Sequence, residues 1–445
     1  MLPMIHIERK DHFIPSLLVA IWYDKSILSR EKTNMTKLDI LAFTEAGKLA
    51  QKQCKSIEMT ETVLLNSLLN RVLAEDIIVQ KNLPSFNNSA MDGFAFKYAE
   101  KGRTLKIKAT IFAGDRPQAQ LGEDECYKIM TGAQVPADAD TIVPIENCPL
   151  VTDTEVTIPE DIRQGNAFRP KGEEQKEGNI LFKKGEFITP AHIALLSAQG
   201  IMAVQVYKPL QIAVLSTGDE IKEPWEEANE DEIYNANAFA ITSLLEKYGF
   251  SPTYAGAIPD DLSETVSLIG KLKSYDVIIT TGGISMGDAD FLEEAFIKNE
   301  LKPLFHGVNV KPGRPTMMGI MENTFVMAMP GNPLTSMLNT FMLSLPVLFK
   351  MQGSSRYHHP YVFAKNHKAF RMKAGKDNMV LGKMENGVFH VTRNNKYGSG
   401  MLTPIAESNA IAVFNKEISS VEENELIKVI LFDTLPLSEE NTFIN

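Results

Sequence analysis

The sequence predicts a multidomain protein of the α/β plus β class. Three observations lead to this prediction. Buried strands alternate with helices after Pro209, a β-rich stretch is enclosed by two segments of different character, and strand-like runs follow Gly353. Alternating strands and helices indicate a mostly parallel sheet with helices on both faces, a three-layer α/β/α domain. The expected architecture adds an elongated mixed domain with an inserted β-rich lobe and a small C-terminal β-barrel.

Length and composition exclude several classes of protein. The chain has 445 residues, which corresponds to roughly three domains of about 150 residues. Hydrophobic residues make up 44% and charged residues 23%, so a mainly disordered or fibrous chain is excluded. A net charge of −11 argues against nucleic-acid and membrane binding, although a local basic pocket remains compatible with it. Three cysteines without a C-x-x-C pair fit a reducing, cytoplasmic compartment.

The first residues show no domain pattern. Phe13–Ile21 is apolar but too short to span a bilayer, and no small-residue cleavage site follows it. A helical pattern begins after Thr36, which is a suitable N-cap, and continues to Ala50. We therefore expect residues 1–34 to form a flexible extension. A start codon assigned too early and a short amphipathic anchor are the alternatives.

Two separated segments, 35–83 and 160–208, are assigned to the elongated domain. Residues 36–82 are predicted to be mostly helical because apolar side chains recur at helical spacing, for example from Val63 to Leu73. Pro190–Gly200 shows the same spacing and predicts another helix.

The inserted lobe is expected to span residues 84–159. Within 104–159, short apolar runs alternate with Gly, Pro and Asp clusters, a pattern that is typical of strands. The predicted strands lie at Leu105–Phe112, Cys126–Met130 and Thr141–Ile145.

Residues 209–352 are expected to form the α/β domain, and 353–445 the C-terminal β-barrel, with a sandwich as the alternative. The predicted α/β elements are strand Leu210–Ser216, helix Asn237–Tyr248, strand Thr253–Ile258, helix Leu262–Leu272, strand Asp276–Thr280, helix Ala289–Asn299, strand Phe325–Met329 and helix Leu334–Phe349. The predicted strands of the tail are Tyr361–Ala364, Val388–Thr392, Ala410–Phe414 and Leu426–Leu431.

Ligands of parallel α/β sheets bind beyond the carboxyl ends of the strands. The loops predicted there carry glycines, hydroxyls, two cations and several carboxylates: Thr217, Gly218, Asp219, Asp261, Thr281, Gly282, Gly283, Ser285, Asp288, Asp290, Lys311, Arg314, Pro330, Gly331 and Asn332. Glycines allow close backbone approach to an anion, and Lys311 and Arg314 can hold phosphate or oxyanion oxygens. Clustered aspartates beside phosphates commonly hold Mg²⁺. A single Asp here is better explained as a helix cap, but the whole set favours a binding site.

Several familiar sites are absent from the sequence. It contains no G-x-G-x-x-G after the first strand, no G-x-x-x-x-G-K-[ST] and no H-E-x-x-H. Gly283–Gly287 does match the G-x-S-x-G motif of serine hydrolases, with Ser285 as the nucleophile. Of the histidines that follow, only His306 lies within the α/β domain, so a triad in hydrolase order is poorly supported.

Two further polar constellations lie outside the α/β domain. Asn87–Ala95 opens the lobe and would ordinarily be an Asx-rich turn. Arg169–Glu174 would ordinarily be a solvated charge run. Composition alone favours these structural explanations.

Taken together and in order, these motifs resemble the MoeA-type molybdopterin molybdotransferase family, which is similar to the E domain of gephyrin. The motifs are Asn88–Gly93, Met130–Ala133, Arg169–Glu173, Ser216–Glu220, Thr281–Asp290, Lys311–Pro315 and Pro330–Pro333. The resemblance covers about residues 36–445, and several motifs in order are far more specific than any one of them. It implies that 209–352 is a molybdopterin-binding domain.

The resemblance implies the last step of molybdenum cofactor synthesis. The enzyme would bind adenylylated molybdopterin, insert molybdate as co-substrate into its dithiolene, and release AMP in a Mg²⁺-dependent reaction. It would act as a homodimer in which the α/β domain of one subunit faces the lobe of the other. The adenylyltransferase and apo-molybdoenzymes are the expected protein partners.

The same resemblance assigns roles to the candidate residues. The catalytic candidates are Asp92, Glu173, Asp219 and Asp261. The substrate-binding candidates are Ser89, Thr217, Gly218, Thr281, Gly282, Gly283, Ser285, Lys311, Arg314, Pro330, Gly331 and Asn332. The metal-binding candidates are Asp219, Asp261, Asp288 and Asp290.

Other functions are compatible with parts of the pattern. The fold could serve as a non-catalytic scaffold, or the chain could be adenylyltransferase-like. A freestanding adenylyltransferase would not need the lobe and the β tail, which favours the transferase. A serine hydrolase acting through Ser285 is a weaker alternative, and tungstate could take the place of molybdate.

Overall fold

The computed structural model describes residues 40–116, 120–218, 220–258, 261–283 and 291–432. Thr36 and the expected extension, 1–34, lie outside these residues. The elements before the lobe are helix α1 (Phe43–Gln53), strands β1 (Thr60–Leu64), β2 (Ile77–Ile78) and β3 (Asn88–Ser89), and a 3₁₀ turn at Leu65–Ser67.

The prediction that residues 36–82 are mostly helical is wrong beyond α1. Val63 and Leu64 lie on β1, where alternate residues are partly buried in a period of two. β-branched residues at positions 60, 62 and 63 favour this extended backbone. Apolar spacing over so short a segment fits both periods, and the choice is made by pairing with a distant strand.

The lobe is built on a six-stranded sheet with the order β7-β4-β6-β5-β9-β8. Its strands are β4 (Gly93–Phe96), β5 (Thr104–Ile111), β6 (Glu125–Ile129), β7 (Thr141–Pro144), β8 (Leu150–Val151) and β9 (Glu155–Thr157), with 3₁₀ turns at Tyr98–Glu100 and Ile145–Asn147. Phe94 and Phe96 pack in one apolar cluster and Ala95 in another, so the sheet has a core on each face. The three predicted strands of the lobe correspond to β5, β6 and β7.

The segment that leaves the lobe returns along the segment that enters it. Its elements are β10 (Phe168–Arg169), β11 (Ile180–Phe182), helix α2 (Pro190–Ala198) and β12 (Ala203–Tyr207). β10 pairs with β3, β11 with β2 and β12 with β1, all antiparallel. These three pairs bring the motifs on both sides of the lobe together.

The α/β domain contains a six-stranded sheet with the order β16-β13-β17-β21-β20-β18. Its elements are β13 (Ile212–Ser216), β14 (Ile221–Lys222), β15 (Ile233–Tyr234), α3 (Asn237–Lys247), β16 (Thr253–Ala257), α4 (Leu262–Leu272), β17 (Val277–Thr281), α5 (Phe291–Lys298), β18 (Lys302–His306), β19 (Val310–Lys311), β20 (Met317–Met321), β21 (Thr324–Met329), α6 (Pro333–Asn339), a π-helical turn (Thr340–Ser344) and α7 (Leu345–Met351). β16, β13, β17 and β21 are parallel. β20 pairs antiparallel with β21, and β18 pairs antiparallel with β20; the sequence predicted neither of these two strands.

Side chains of β13 alternate between two apolar cores. Ile212 and Val214 pack with residues of α3 and α6, while Ala213 and Leu215 pack with residues of α4 and α5. One helical stretch in the described chain, Pro333–Met351, is long and apolar enough to cross a bilayer. However, 83% of its apolar window is buried, as in the core helix of a folded domain.

The C-terminal region forms a closed five-strand barrel. Its elements are β22 (Val362–Asn366), β23 (Phe370–Arg371), β24 (Asp377–Glu385), β25 (Val388–Val391), a 3₁₀ turn (Thr392–Asn395), α8 (Thr403–Ala406), β26 (Ala410–Phe414), β27 (Ser420–Val421) and β28 (Leu426–Leu431). The ring runs β24-β25-β22-β28-β26 and closes because β26 pairs with β24. The barrel prediction is therefore confirmed, and the sandwich alternative is wrong. β19 of the α/β domain pairs with β24 and joins the two domains.

Candidate active site

Three predicted loops meet at the carboxyl ends of β13, β17 and β21. The backbone N–H and the hydroxyl of Thr217 both donate to the carbonyl of Thr281, at 3.1 and 3.2 Å. The N–H of Gly282 donates to the carbonyl of Met329 at 3.0 Å. Neighbouring parallel strands place their carboxyl ends along one edge, so this convergence follows from the strand order. We call this edge the rim: residues 216–218, 281–283, 311–315 and 330–332.

Glycine is required where the rim loops touch. Gly282 and Gly283 have positive φ angles of 87° and 66°, a region that other residues rarely adopt. A Cβ on Gly282 would lie 2.5 Å from Thr217 Oγ1, and one on Gly283 would lie 2.9 Å from a Leu292 methyl carbon. Gly331 is close as well, since its Cβ would lie 3.5 Å from Gly282 Cα. The loops are therefore packed backbone to backbone.

A cavity of about 440 Å³ lies between the rim and the barrel. Its lining residues are Val310–Pro315, Pro330, Asn332 and Thr335 from the α/β domain, and Lys376, Asn378–Val380, Asn395 and Tyr397–Ser399 from the barrel. This lining includes the cations Lys311, Arg314 and Lys376 and, among described residues, neither Asp nor Glu. In a chain with a net charge of −11, such a cavity is suited to an anion.

Backbone pairing and an asparagine side chain position the segments that carry the cations between the two domains. Val310 and Lys311 pair with Asp377 and Asn378 of β24. The Asn378 amide donates to the carbonyl of Lys376 at 2.7 Å, which fixes the turn that carries this cation. The neighbouring acid, Asp377, accepts bonds from the backbone N–H groups of Phe43 and Lys416.

Sequence reasoning missed the contribution of the barrel to this cavity. Lys376, Asn395 and Ser399 line it, and the Asn332 amide donates to Ser399 Oγ at 3.0 Å. The only signal in the sequence is Gly-Ser-Gly at 398–400, where a hydroxyl sits between two glycines. Nothing local to that segment indicates that the pairing of β19 with β24 brings it to the rim.

The polar motifs in the lobe and in the segment that leaves it also come together. An Asx-rich turn and a solvated charge run would not have required this. We call this group the lobe cluster: Ser89, Asp92, Thr131, Arg169 and Glu173. Ser89 is 1% exposed, lies opposite Phe168 across β3 and β10, and accepts a bond from the N–H of Gly132 through its carbonyl. Arg169 and Glu173 form a solvent-exposed ion pair at 3.9 Å. Backbone pairing thus brings three motifs that are distant in sequence next to one another.

Asp92 is held in its ionised form. One of its carboxylate oxygens, Oδ1, accepts bonds from the hydroxyl and the backbone N–H of Thr131, both at 2.7 Å. The hydroxyl bond first, and then the backbone bond, lower the pKa of Asp92 below its ordinary value. A carboxylate in this state can accept hydrogen bonds from a ligand or a water molecule.

The lobe cluster and the rim are separate within one chain. Among described residues, no hydrogen bond or ion pair joins the two groups. Each is held by its own local backbone pairing.

Of the four aspartates predicted to bind a metal, the structure describes one. Asp261 is the N-cap of α4, and its Oδ1 accepts a bond from the N–H of Glu264 at 2.9 Å. Asp219, Asp288 and Asp290 lie outside the described residues. In the part that is described, no group of three His, Cys, Asp or Glu side chains could hold a metal ion.

The hydrolase alternative gains no support from the strand order. Ser285 follows β17 in the sequence and lies outside the described residues. His306 is on β18, which two strands, β21 and β20, separate from β17.

Family comparisons cover almost all of the described chain. The family models for the MoeA N-terminal region (domain I and II), the probable molybdopterin binding domain and the MoeA C-terminal region (domain IV) match residues 41–200, 213–350 and 364–432. A molybdopterin molybdenumtransferase of Haemophilus influenzae is 31% identical over 403 residues, covering 89% of this chain and all of that protein. Its counterpart in Staphylococcus epidermidis is 27% identical, covering 90% and 97%.

Solved structures agree with these matches. The molybdopterin biosynthesis MoeA protein of Pyrococcus horikoshii superposes with a TM-score of 0.77 at 27% identity, covering 88% of this chain and all of that one. A molybdenum cofactor biosynthesis protein of Pyrococcus furiosus, at 20% identity and a TM-score of 0.56, shares the fold.

Proposed function

The chain belongs to the molybdopterin molybdenumtransferase (MoeA) family, and on this premise we propose that it inserts molybdate into the dithiolene of adenylylated molybdopterin and releases AMP. It is a transferase of molybdenum cofactor biosynthesis.

The observation that carries the proposal is the cationic cavity. Molybdate is a tetrahedral dianion, and Lys311, Arg314 and Lys376 line one open cavity without a described acid. The planar guanidinium of Arg314 can donate two parallel bonds to oxyanion oxygens, while the lysines act as point charges. Asn332 on the rim and Ser399 on the barrel would add neutral donors.

The glycine loops of the rim are suited to the phosphates of the second substrate. Gly282, Gly283 and Gly331 carry no side chain where three loops meet. The N–H of Gly282 is bonded to Met329, so the N–H groups of Gly283 and Gly331 are the ones proposed to approach phosphate oxygens. Thr217, Gly218, Thr281, Ser285 and Pro330 are proposed to complete this substrate-binding surface.

The proposed reaction requires Mg²⁺. Of the four candidate ligands, Asp261 alone lies within the described residues, and one of its oxygens already caps α4. Asp261 by itself therefore does not make a Mg²⁺ site, and Asp219, Asp288 and Asp290 would have to supply the other oxygens. A bound Mg²⁺ would neutralise phosphate charge during release of AMP.

The lobe cluster is proposed to act on the substrate held by the rim of a second subunit. Asp92 is ionised and exposed, and Glu173 is half-exposed beside Arg169, so both carboxylates can reach a ligand from outside. A symmetric homodimer would join each lobe to the opposite rim and so form two equivalent sites. Asp92 and Glu173 would then orient water or accept a hydrogen bond from the substrate.

The proposal also includes the three-layer architecture, the domain limits, the location and the protein partners that the sequence predicts. The two cores that flank β13 support three layers for 209–352. The limits 35–83 with 160–208 for the elongated domain, 84–159 for the lobe and 353–445 for the barrel are retained. A cytoplasmic location, and the adenylyltransferase and apo-molybdoenzymes as partners, follow from the proposed reaction.

The test is to supply adenylylated molybdopterin and Mg²⁺, with and without molybdate, and to follow AMP. Release that depends on molybdate supports the proposal. Release that is independent of molybdate, or no release at all, would contradict it. Formation of adenylylated molybdopterin from ATP would instead favour the adenylyltransferase alternative.

A further inference from the structure

Two buried asparagines that belong to none of the predicted motifs contact the loops of the rim. We propose that Asn237 and Asn339 are positioning residues that each hold one part of the site. Asn237 sets the affinity for the AMP-bearing substrate, and Asn339 sets the affinity for the oxyanion. This inference rests on the proposed function and extends it to residues that touch neither substrate.

Asn237 joins the ends of two parallel strands. It is the first residue of α3 and is only 9% exposed. Its amide nitrogen donates to Thr281 Oγ1 and to the carbonyl of Gly331, both at 2.7 Å. Thr217 in turn donates to the carbonyl of Thr281. One side chain therefore fixes the spacing between the loops after β17 and β21, which carry the glycines proposed to receive phosphate.

Asn339 does the same for the loop that carries the cations. It is the last residue of α6 and is fully buried. Its amide nitrogen donates to the carbonyl of Gly313 at 2.8 Å and to Thr316 Oγ1 at 2.6 Å. A Cβ on Gly313 would lie 2.5 Å from this nitrogen, so the loop rests directly on the amide. Lys311 and Arg314 flank Gly313 on either side.

The two residues share one hydrogen-bonding pattern. In each case a single amide nitrogen bridges a loop carbonyl and a threonine hydroxyl. In the described part of the chain, the amide oxygens of Asn237 and Asn339 have no partner. A carbonyl only accepts, so the donor must face the loop and the orientation of the amide is set. A substitution that removes this N–H donor would release the loop without removing any contact with a ligand.

The barrel provides a matched control. Asn366 is fully buried, its amide nitrogen bridges the carbonyls of Lys368 and Glu422 at 2.9 Å each, and its oxygen also lacks a described partner. It does not line the cavity. Its removal should therefore lower stability in a similar way but leave both substrates unaffected.

The experiment measures the Kd of molybdate and of AMP by calorimetry for the full-length wild type and for Asn237→Ala, Asn339→Ala and Asn366→Ala. Loss of the two amide hydrogen bonds that hold a site loop should raise a Kd by about tenfold. We expect Asn339→Ala to weaken molybdate alone, Asn237→Ala to weaken AMP alone, and Asn366→Ala to change neither. Melting temperatures of the three variants should fall by comparable amounts. If an alanine variant does not fold, the nearly isosteric Asn→Leu variant at that position takes its place.

The outcomes separate this inference from the proposed function. If molybdate and AMP both bind more weakly to both rim variants, the positioning roles are overturned. They are also overturned if both ligands bind both variants as tightly as the wild type. A change of either affinity in the Asn366 variant that matches the rim variants would overturn them as well. A wild-type protein that binds neither probe would instead overturn the proposed function.

Discussion

The rim and the lobe cluster differ in charge, exposure and construction. The rim loops pack against one another through glycines and border a cavity with Lys311, Arg314 and Lys376. Apart from the buried Ser89, the lobe cluster is open to solvent, and its exposed carboxylates, Asp92 and Glu173, accept a bond from Thr131 and pair with Arg169, respectively. The described rim offers cations and backbone donors, whereas the lobe cluster offers carboxylate oxygens as acceptors.

The difference suggests a division of tasks between the two regions. In the proposed reaction, anionic substrates would be attracted to the cations of the rim, where a carboxylate that holds no metal would repel them. The acceptors needed for chemistry would instead lie on a separate element that meets the rim only in the proposed homodimer. Binding and turnover should therefore respond to different substitutions, and the following predictions test that separation.

The largest effect is expected for Asp92→Asn. Turnover should fall by about a thousandfold, as for loss of a group that handles protons or water in the transition state. The Kd of molybdate should stay unchanged because Asp92 does not line the cavity. Steady-state rates and calorimetry measure the two quantities. The exposed lobe carboxylate Asp115, which accepts a bond from the N–H of Phe112, provides the control substitution Asp115→Asn. Equal losses of turnover in both variants would remove the special role of Asp92.

Loss of both rim cations should mainly affect binding. In Lys311→Met/Arg314→Met the Kd of molybdate should rise by about a hundredfold, because charge-assisted hydrogen bonds are the strong ones. Lys365→Met removes an exposed barrel cation that does not line the cavity and should leave the Kd unchanged. An unaltered Kd in the double variant would show that the oxyanion binds elsewhere.

A smaller effect is expected for Gly282→Ala, which tests the close packing of the rim. The substitution adds a left-handed backbone cost and a contact with Thr217, together about 1–3 kcal/mol of unfolding free energy. Gly256→Ala is the matched control, because Gly256 has a φ of 95° and nothing within 4 Å of the added carbon. Denaturant unfolding should show a larger loss for Gly282→Ala. Equal losses would mean that the contact with Thr217 contributes nothing.

The smallest effect is expected for Thr131→Val in the lobe cluster. The hydroxyl of Thr131 is the main cause of the lowered pKa of Asp92, and its backbone N–H remains in the variant. The pKa of Asp92 should therefore rise part of the way toward its ordinary value. Because the native carboxylate is ionised to a lower pH than in an unfolded chain, its stabilising bonds are lost only as pH falls through this lowered pKa. In the variant the loss begins at higher pH. An NMR titration of the Asp92 carboxyl carbon follows this, and an unchanged midpoint would contradict the assignment.

The sequence predicted the parallel strands well and the antiparallel additions poorly. β13, β17 and β21 are continuous apolar runs between glycine-rich or charged loops, which is the pattern of a strand buried on both faces. β18 contains Pro303, and β24 begins with Asp377 and contains Gly382, so neither shows an uninterrupted apolar pattern. Their extended form depends on partners elsewhere in the sheet or barrel.

The candidate site was predictable where it follows from strand order. The loops after β13, β17 and β21 had to share one edge, so Thr217, Thr281 and Gly331 were found together. Lys376 and Ser399 were not found, because only the pairing of β19 with β24 carries the barrel to that edge. Val63 and Leu64 show the same limit in the elongated domain, where pairing with β12 overrides helical spacing. Local patterns thus identify elements, and long-range pairing decides which elements meet.

The most direct test of the account is complementation between the two regions. Asp92→Asn leaves the rim intact, and Lys311→Met/Arg314→Met leaves the lobe intact. At a molybdate concentration near the wild-type Kd, each homodimer should therefore be nearly inactive. If every site joins one subunit's rim to the other's lobe, co-expressed subunits that assort at random should recover about a quarter of wild-type AMP release, because half the dimers are mixed and each has one intact site. Recovery near that fraction is the result we predict. No recovery in a mixture shown to contain mixed dimers would contradict an active site shared between the rim and the lobe of different subunits.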